Sequence, residues 1–283
     1  MSRSNVPEKL ARLGYAARGT VYLIVGGLAL VAARGSGGPA TDSKGALQAI
    51  LEAPFGAVLL AIIAIGLLCF AAWRLAQGLL DADRLGRKRK ALVRRAAYSG
   101  SAVIYVGLAF TAASILIGRR TDSGDQSARD WTATLLSQPF GRWLVAAVAF
   151  GIALGGLAIA RRGWTERFDH LALSASARSW AMRMGRFGFF ARAAIFLIVS
   201  GFLMVAAVHA NSSEARGLAG ALESLQQQPY GWALLGATAL GLFAFGAFQF
   251  ITAAYRRLDA PSTSDAIAQI EAGVQEASRP SRS

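Results

Sequence analysis

The chain has one cysteine, Cys69, which excludes an intrachain disulfide and any multi-thiolate metal site. It has two histidines, His170 and His209. A bis-histidine haem needs both at similar depth on facing helices, and these two are expected at opposite ends of the molecule. Charge is scarce as well. Asp, Glu, Lys and Arg make up 16% of the residues, against about 25% in an ordinary soluble domain. The apolar runs carry no Asp, Glu, Lys or His near their middles, so the buried carboxylates of a proton- or sodium-coupled transporter are missing. No Ser/His/Asp arrangement, nucleotide fingerprint or phosphate-cradling loop stands in a suitable context. The expectation is a protein that is not an enzyme and holds no cofactor or metal.

Apolar length is what the chain has instead, with 54% hydrophobic residues. Six runs, at 14–33, 57–80, 96–118, 140–160, 188–210 and 230–255, reach the ~20 residues that span a hydrocarbon core of roughly 30 Å. Three of them open alike, with Pro54-Phe55-Gly56, Pro139-Phe140-Gly141 and Pro229-Tyr230-Gly231. At the same distance past each proline stands another glycine: Gly66, Gly151 and Gly241. The alternate runs align too, since Gly14-Tyr15-Ala16-Ala17-Arg18 matches Gly188-Phe189-Phe190-Ala191-Arg192. In the middle copy Ser99 takes the place of the arginine, and Gly107 aligns with Gly26.

The expected fold is therefore all-α. It is a polytopic membrane protein with six transmembrane helices in three parallel repeated hairpins, pseudo-threefold about the membrane normal. Each repeat crosses twice, so all three share one orientation. The repeats occupy 1–90, 91–181 and 182–258. A polar tail follows at 259–283, with a short helix capped by Ser264 or Asp265. Each proline is expected in the first turn of its helix, and its aromatic neighbour at the membrane–water interface. Residues 14–33 also resemble a signal peptide, with Val31-Ala32-Ala33 as a cleavage pattern; the internal recurrence of such runs favours a retained helix. Amphipathic stretches at 46–52, 128–137 and 217–227, N-capped by Ser43, Ser127 and Ser213, read as interfacial helices shielding the hairpin turns. Their functional alternative is a set of lids over a pocket.

With Gly-Tyr-x-Ala-Arg at Gly14–Arg18 and Pro-aromatic-Gly at Pro54, Pro139 and Pro229, the chain resembles a bacterial family catalogued as domain of unknown function 1206. In that family a pair of transmembrane helices occurs three times, and the resemblance covers roughly residues 10–257. It implies a topology and brings no activity, substrate or catalytic residue.

The net charge of +14 is distributed by topology. Of the 30 Lys and Arg residues, 23 fall in the N-terminal segment, the second-to-third and fourth-to-fifth connections, and the tail. By the positive-inside rule these segments are cytoplasmic in a bacterial inner membrane, with both termini inside. The charge then calls for no nucleic acid. The expected partner is the lipid bilayer, with anionic lipids at the basic face.

Two sets of residues stand out. Gly66, Gly151 and Gly241, with Gly155 one turn past Gly151, are expected to allow close helix contact. Arg18 with Tyr15 and Arg192 with Phe189 are candidate anionic-lipid contacts, forming two sites with none in the second repeat. Each arginine lies one turn past its aromatic and shares its face, and a guanidinium there can bind phosphate bidentately. Plain interfacial anchoring is the alternative. The leading functional reading is a non-enzymatic membrane-organising or partner-binding bundle, and the second is a passive pore or facilitator along the repeat axis.

Overall fold

The computed structural model describes residues 6–35, 41–82, 85–86, 88–119, 121–165 and 175–255, with side chains from residue 11 and, after the second gap of the basic face, from residue 179. The polar tail, His170, Ser264 and Asp265 lie outside the described residues. Nine α-helices are described: α1 (Val6–Ala33), α2 (Ser43–Glu52), α3 (Gly56–Leu79), α4 (Arg89–Leu116), α5 (Gly124–Leu136), α6 (Gly141–Thr165), α7 (Ala175–His209), α8 (Leu218–Gln226) and α9 (Gly231–Tyr255). A 3-10 turn at Ser212–Glu214 precedes α8. Six of the nine, α1, α3, α4, α6, α7 and α9, are long and apolar enough to cross a membrane. Among the described residues there is no strand.

The short helices α2, α5 and α8 each end in the same turn. Phe55, Phe140 and Tyr230 adopt left-handed backbone, with φ of 59°, 62° and 59°. The N–H of the following glycine donates to a carbonyl three residues back: Gly56 to Ala53, Gly141 to Gln138 and Gly231 to Gln228, at 2.8–2.9 Å. The glycine is required by proximity, because a Cβ at Gly141 would lie 2.5 Å from the carbonyl oxygens of Leu135 and Leu136. Each proline thus sits in the turn, two residues before its helix, and not in the first helical turn. The three aromatic rings stand 79–85% exposed at one end of the bundle, near Trp143 and Trp232, as in the aromatic belt of a membrane interface.

The caps also differ from expectation. Asp42, not Ser43, caps α2 by accepting from the N–H groups of Lys44 and Gly45. Ser123, one turn before Ser127, caps α5 by accepting from Gln126, and Gly217 precedes α8 in place of Ser213. Carboxylate and serine oxygens win wherever they can reach the free amides of the first turn.

The long helices pack side by side in the order α4, α3, α1, α9, α7, α6. Helices of the first repeat (α1, α3) touch each other, as do those of the third (α7, α9). The two helices of the second repeat, α4 and α6, are the ends of the row and do not pack together. Contacts between repeats are more extensive than those within them, and the most extensive joins α1 of the first to α9 of the third.

The first and third repeats are built alike at atomic level. A Cβ at Gly14 would lie 2.7 Å from the Phe70 backbone, and one at Gly188 would meet Phe245 in the same way, at 2.6–2.8 Å. A Cβ at Gly66 would overlap Ala17, and one at Gly241 would overlap Ala191. Gly151 differs: nothing lies within 4 Å of its missing Cβ, so the expected close contact is absent there. The residue that aligns with Ala17 and Ala191 in the second repeat is Gly100, and its surroundings are equally open.

Candidate site: a buried guanidinium cluster

Tyr15, Arg18 and Tyr22 follow one another at helical spacing on the inner face of α1. The same pattern recurs as Tyr98, Ser101 and Tyr105 on α4, and as Phe189, Arg192 and Phe196 on α7. This spacing makes Ser101, not Ser99, the counterpart of the two arginines. Ser99 instead donates to the Arg95 carbonyl and faces Gly78 of α3.

Arg18 and Arg192, expected in separate sites, converge in one. Both guanidinium groups pack against the Tyr22 side chain. The central carbon of Arg18 is 5.6 Å from the centre of the Tyr22 ring, and that of Arg192 is 5.3 Å from it. The Phe245 ring lies 5.0 Å from Arg18 and 4.6 Å from Arg192. Phe70 and Tyr105 complete the surroundings of Arg18 at 5.2 and 5.4 Å. Edge-to-face contacts lock these rings, Phe70 on Tyr15 and Tyr105, Phe245 on Tyr22 and Phe189. The rings are positioned by the glycine contacts of the fold, since Gly14 and Gly188 press directly on the backbones of Phe70 and Phe245. Tyr15 and Phe189 therefore support the site through ring packing.

Arg74 joins the cluster from α3. Its guanidinium is 4.9 Å from both the Phe70 and Tyr98 rings and donates to Gln77 Oε1 at 3.0 Å. It stands 18 residues into α3, near the basic edge, and its side chain turns inward. At 1.5 Å per residue, Arg18 lies about 22 Å from the end of α1, Arg192 about 25 Å from that of α7, and Arg74 about 27 Å into α3. All three thus occupy one level, some 3–8 Å inside the basic edge of a ~30 Å core.

Arg18 is 5% exposed, and the buried Nε atoms of Arg18, Arg74 and Arg192 have no hydrogen-bond partner. Among the described residues no carboxylate pairs with any of the three. A guanidinium inside a bilayer costs at least ~2.5 kcal/mol. Each ring contact returns about 0.5–2 kcal/mol, so the aromatic cage can offset the solvation lost. It supplies no negative charge, and the guanidinium groups repel one another. The arrangement is complementary to an anion.

Sequence reasoning singled out Arg18 and Arg192 but missed Tyr22, Phe70, Arg74, Tyr105 and Phe245. The signal was available in the repeated spacing of Tyr, Arg and Tyr, and in the equal depth of Arg18, Arg74 and Arg192 measured from the helix ends. His209 is a surface residue whose Nδ1 lies 3.0 Å from Glu214 Oε1.

The opposite end of the bundle is tied across the repeats. Lys44 Nζ donates to the Asp122 carbonyl at 3.0 Å and to Ser127 Oγ at 2.6 Å, joining the first repeat to the second. The Gly217 N–H donates to Asp125 Oδ1 at 2.8 Å, joining the second to the third. A depression of about 320 Å³ beside α4, lined by Lys44, Phe110, Ser114 and Asp122 among others, opens at this end.

The repeat read in the packing is also the unit of a known family. A model described as Domain of Unknown Function (DUF1206) matches three times, at residues 13–81, 96–166 and 187–256. The Uncharacterized protein YxxB of Bacillus subtilis (strain 168) is 33% identical over 255 residues, covering 89% of this chain and 92% of the relative. No solved structure matches. With three matched repeats spanning most of its length, the chain belongs to the DUF1206 family of membrane proteins of unknown function.

Proposed function

We propose that the protein is a non-enzymatic, multi-pass protein of the bacterial inner membrane, with both termini cytoplasmic, that binds an anionic membrane component inside its basic half. It would act as a membrane-organising or partner-binding bundle. The observation that carries this reading is the pair Arg18 and Arg192, caged by the rings of Tyr22 and Phe245 with no carboxylate to neutralise them among the described residues. The orientation rests on the positive-inside distribution of Lys and Arg. A passive pore along the repeat axis is the second reading, because clustered guanidinium groups favour anions. The ties between α2, α5 and α8 lie across the far end and weigh against open conduction.

Native mass spectrometry of the purified protein tests the first reading. The wild type is expected to retain a phosphate-bearing lipid, and an Arg18→Lys, Arg192→Lys variant to lose at least tenfold of it. Lysine keeps the charge but not the planar fork that grips phosphate. Equal retention by both would reduce the arginines to interfacial anchors.

A further inference from the structure

Around the centre of the bundle the second repeat lacks what the other two contribute. Counting from the shared Pro-aromatic-Gly turns, Phe70 of α3 and Phe245 of α9 correspond to Gly155 of α6. Arg18 and Arg192 correspond to Ser101 of α4. Two bulky groups of each inner face are therefore replaced by a glycine and a serine. The second repeat is also where the row of helices is open, since α4 and α6 do not pack together.

Both helices carry apolar side chains that nothing covers. Ile104 on α4 is 69% exposed and Val148 on α6 is 45% exposed. Gly100 and Gly151, which in the other repeats would be pressed against a neighbour, meet nothing within 4 Å. The nearest atom to a Cβ at Gly155 is on the Phe196 ring at 3.9 Å, and Phe196 in turn lies 5.6 Å from the Arg192 guanidinium. The apolar opening thus leads to the cationic cluster. The partnerless Nε of Arg18, buried in that cluster, is a polar group still to be satisfied.

We propose that the second repeat is a lateral entrance for an anionic phospholipid, whose phosphate is held by Arg18 and Arg192 while its acyl chains lie between α4 and α6. This rests on the anion-binding reading above and adds the ligand class and the route. Charge complementarity selects an anion, and the level of the arginines, just inside the basic edge, is within reach of a lipid phosphate. Apolar walls open to the bilayer select a ligand with chains over free phosphate.

The test fills the opening without touching the arginines. Purified wild type, a Gly100→Trp, Gly151→Trp variant and a Gly201→Trp control are each equilibrated with phosphatidylglycerol and examined by native mass spectrometry. Gly201 lies on α7 and is equally unobstructed, so the control adds the same bulk elsewhere on the lipid-facing surface. A parallel arm measures melting shifts with inorganic phosphate. The expected result is phosphatidylglycerol retained by wild type and control, and reduced at least tenfold in the double variant with an unchanged ligand-free melting temperature. Retention by the double variant overturns lateral entry. A phosphate-induced shift that requires Arg18 and Arg192, with no lipid retained by wild type, overturns the lipid and leaves the anion site standing. Loss of both ligands in wild type removes the anion site itself. A wild-type dimer that excludes lipid and is broken by the two tryptophans assigns the opening to a second copy of the chain, and overturns the proposal.

Discussion

The first and third repeats are near copies of each other in packing, while the second uses the same turn and the same length of helix to do something different. In the outer two, a glycine at the middle of α3 or α9 is pressed against an alanine of its partner, and an aromatic one turn further fills the centre. In the second, the glycine is kept but the alanine is Gly100 and the aromatic is Gly155, so α4 and α6 do not press on each other. The consequence is seen in burial: 44% of the most apolar window is buried in α3 and α9, but 17% in α6. A small-residue motif marks where two helices can approach, and the partner's side chain decides whether they do.

The largest expected effect follows directly. Gly66→Leu and Gly241→Leu should each destabilise the protein by roughly 3 kcal/mol, because the added side chain meets a backbone-anchored Cβ in a packed seam. Gly151→Leu should stay within about 0.5 kcal/mol, as at an open surface position. Unfolding in mixed micelles by denaturing detergent measures all three. A Gly151→Leu cost equal to the others would mean that α4 and α6 close on each other in the membrane, and the distinction between repeats would vanish.

This difference was invisible in the repeated motif itself, which is as complete at Pro139-Phe140-Gly141 and Gly151 as in its sister copies. The six membrane helices and the repeats were legible because each requires a long apolar run, and length and composition alone identify one. The family match confirms that reading of the three repeats. Which helices touch is a question of side-chain pairs between segments, and its trace is confined to single residues such as Gly100 and Gly155. Arg18 and Arg192 were singled out for the same face and spacing that now bring them together. Their convergence on Tyr22 depends on α1 and α7 flanking α9, an adjacency that no local spacing specifies. The position of each proline was misread for a similar reason: the left-handed residue after it belongs to a turn, which apolar periodicity does not report.

An intermediate effect concerns charge in the centre. Arg18→Met replaces a buried, unpaired cation by an apolar side chain of similar length. Once delipidated, this variant should be slightly more stable than wild type, because the ring contacts offset the desolvation of the guanidinium but leave its repulsion by Arg192 and Arg74. With phosphatidylglycerol present the order should reverse, because only the wild type gains the binding energy of the ligand. Melting temperatures with and without lipid give both comparisons. A variant that is less stable in both conditions would show that Arg18 is held by its cage alone and that no anion completes it.

The smallest effect is at the far end, where hydrogen bonds add to the helix packing that ties the second repeat to its neighbours. Asp125 accepts from the N–H of Gly217, and that residue precedes α8 without a side-chain cap of its own. Asp125→Ala leaves this amide without its partner at a half-buried position, for a cost of about 1 kcal/mol. Spread over a bundle of six long helices, that loss should scarcely move global unfolding. Local opening is a different matter, because this bond lies where α5 meets α8 and α6 is already poorly buried. Amide exchange in α5 and in the first turn of α8 should quicken by roughly fivefold, the factor that corresponds to 1 kcal/mol, while α1 and α9 keep wild-type rates. Uniform exchange across all helices would place the second repeat in the same cooperative unit as the other two. Confinement to α5 and α8 would make it the part of the molecule that opens by itself.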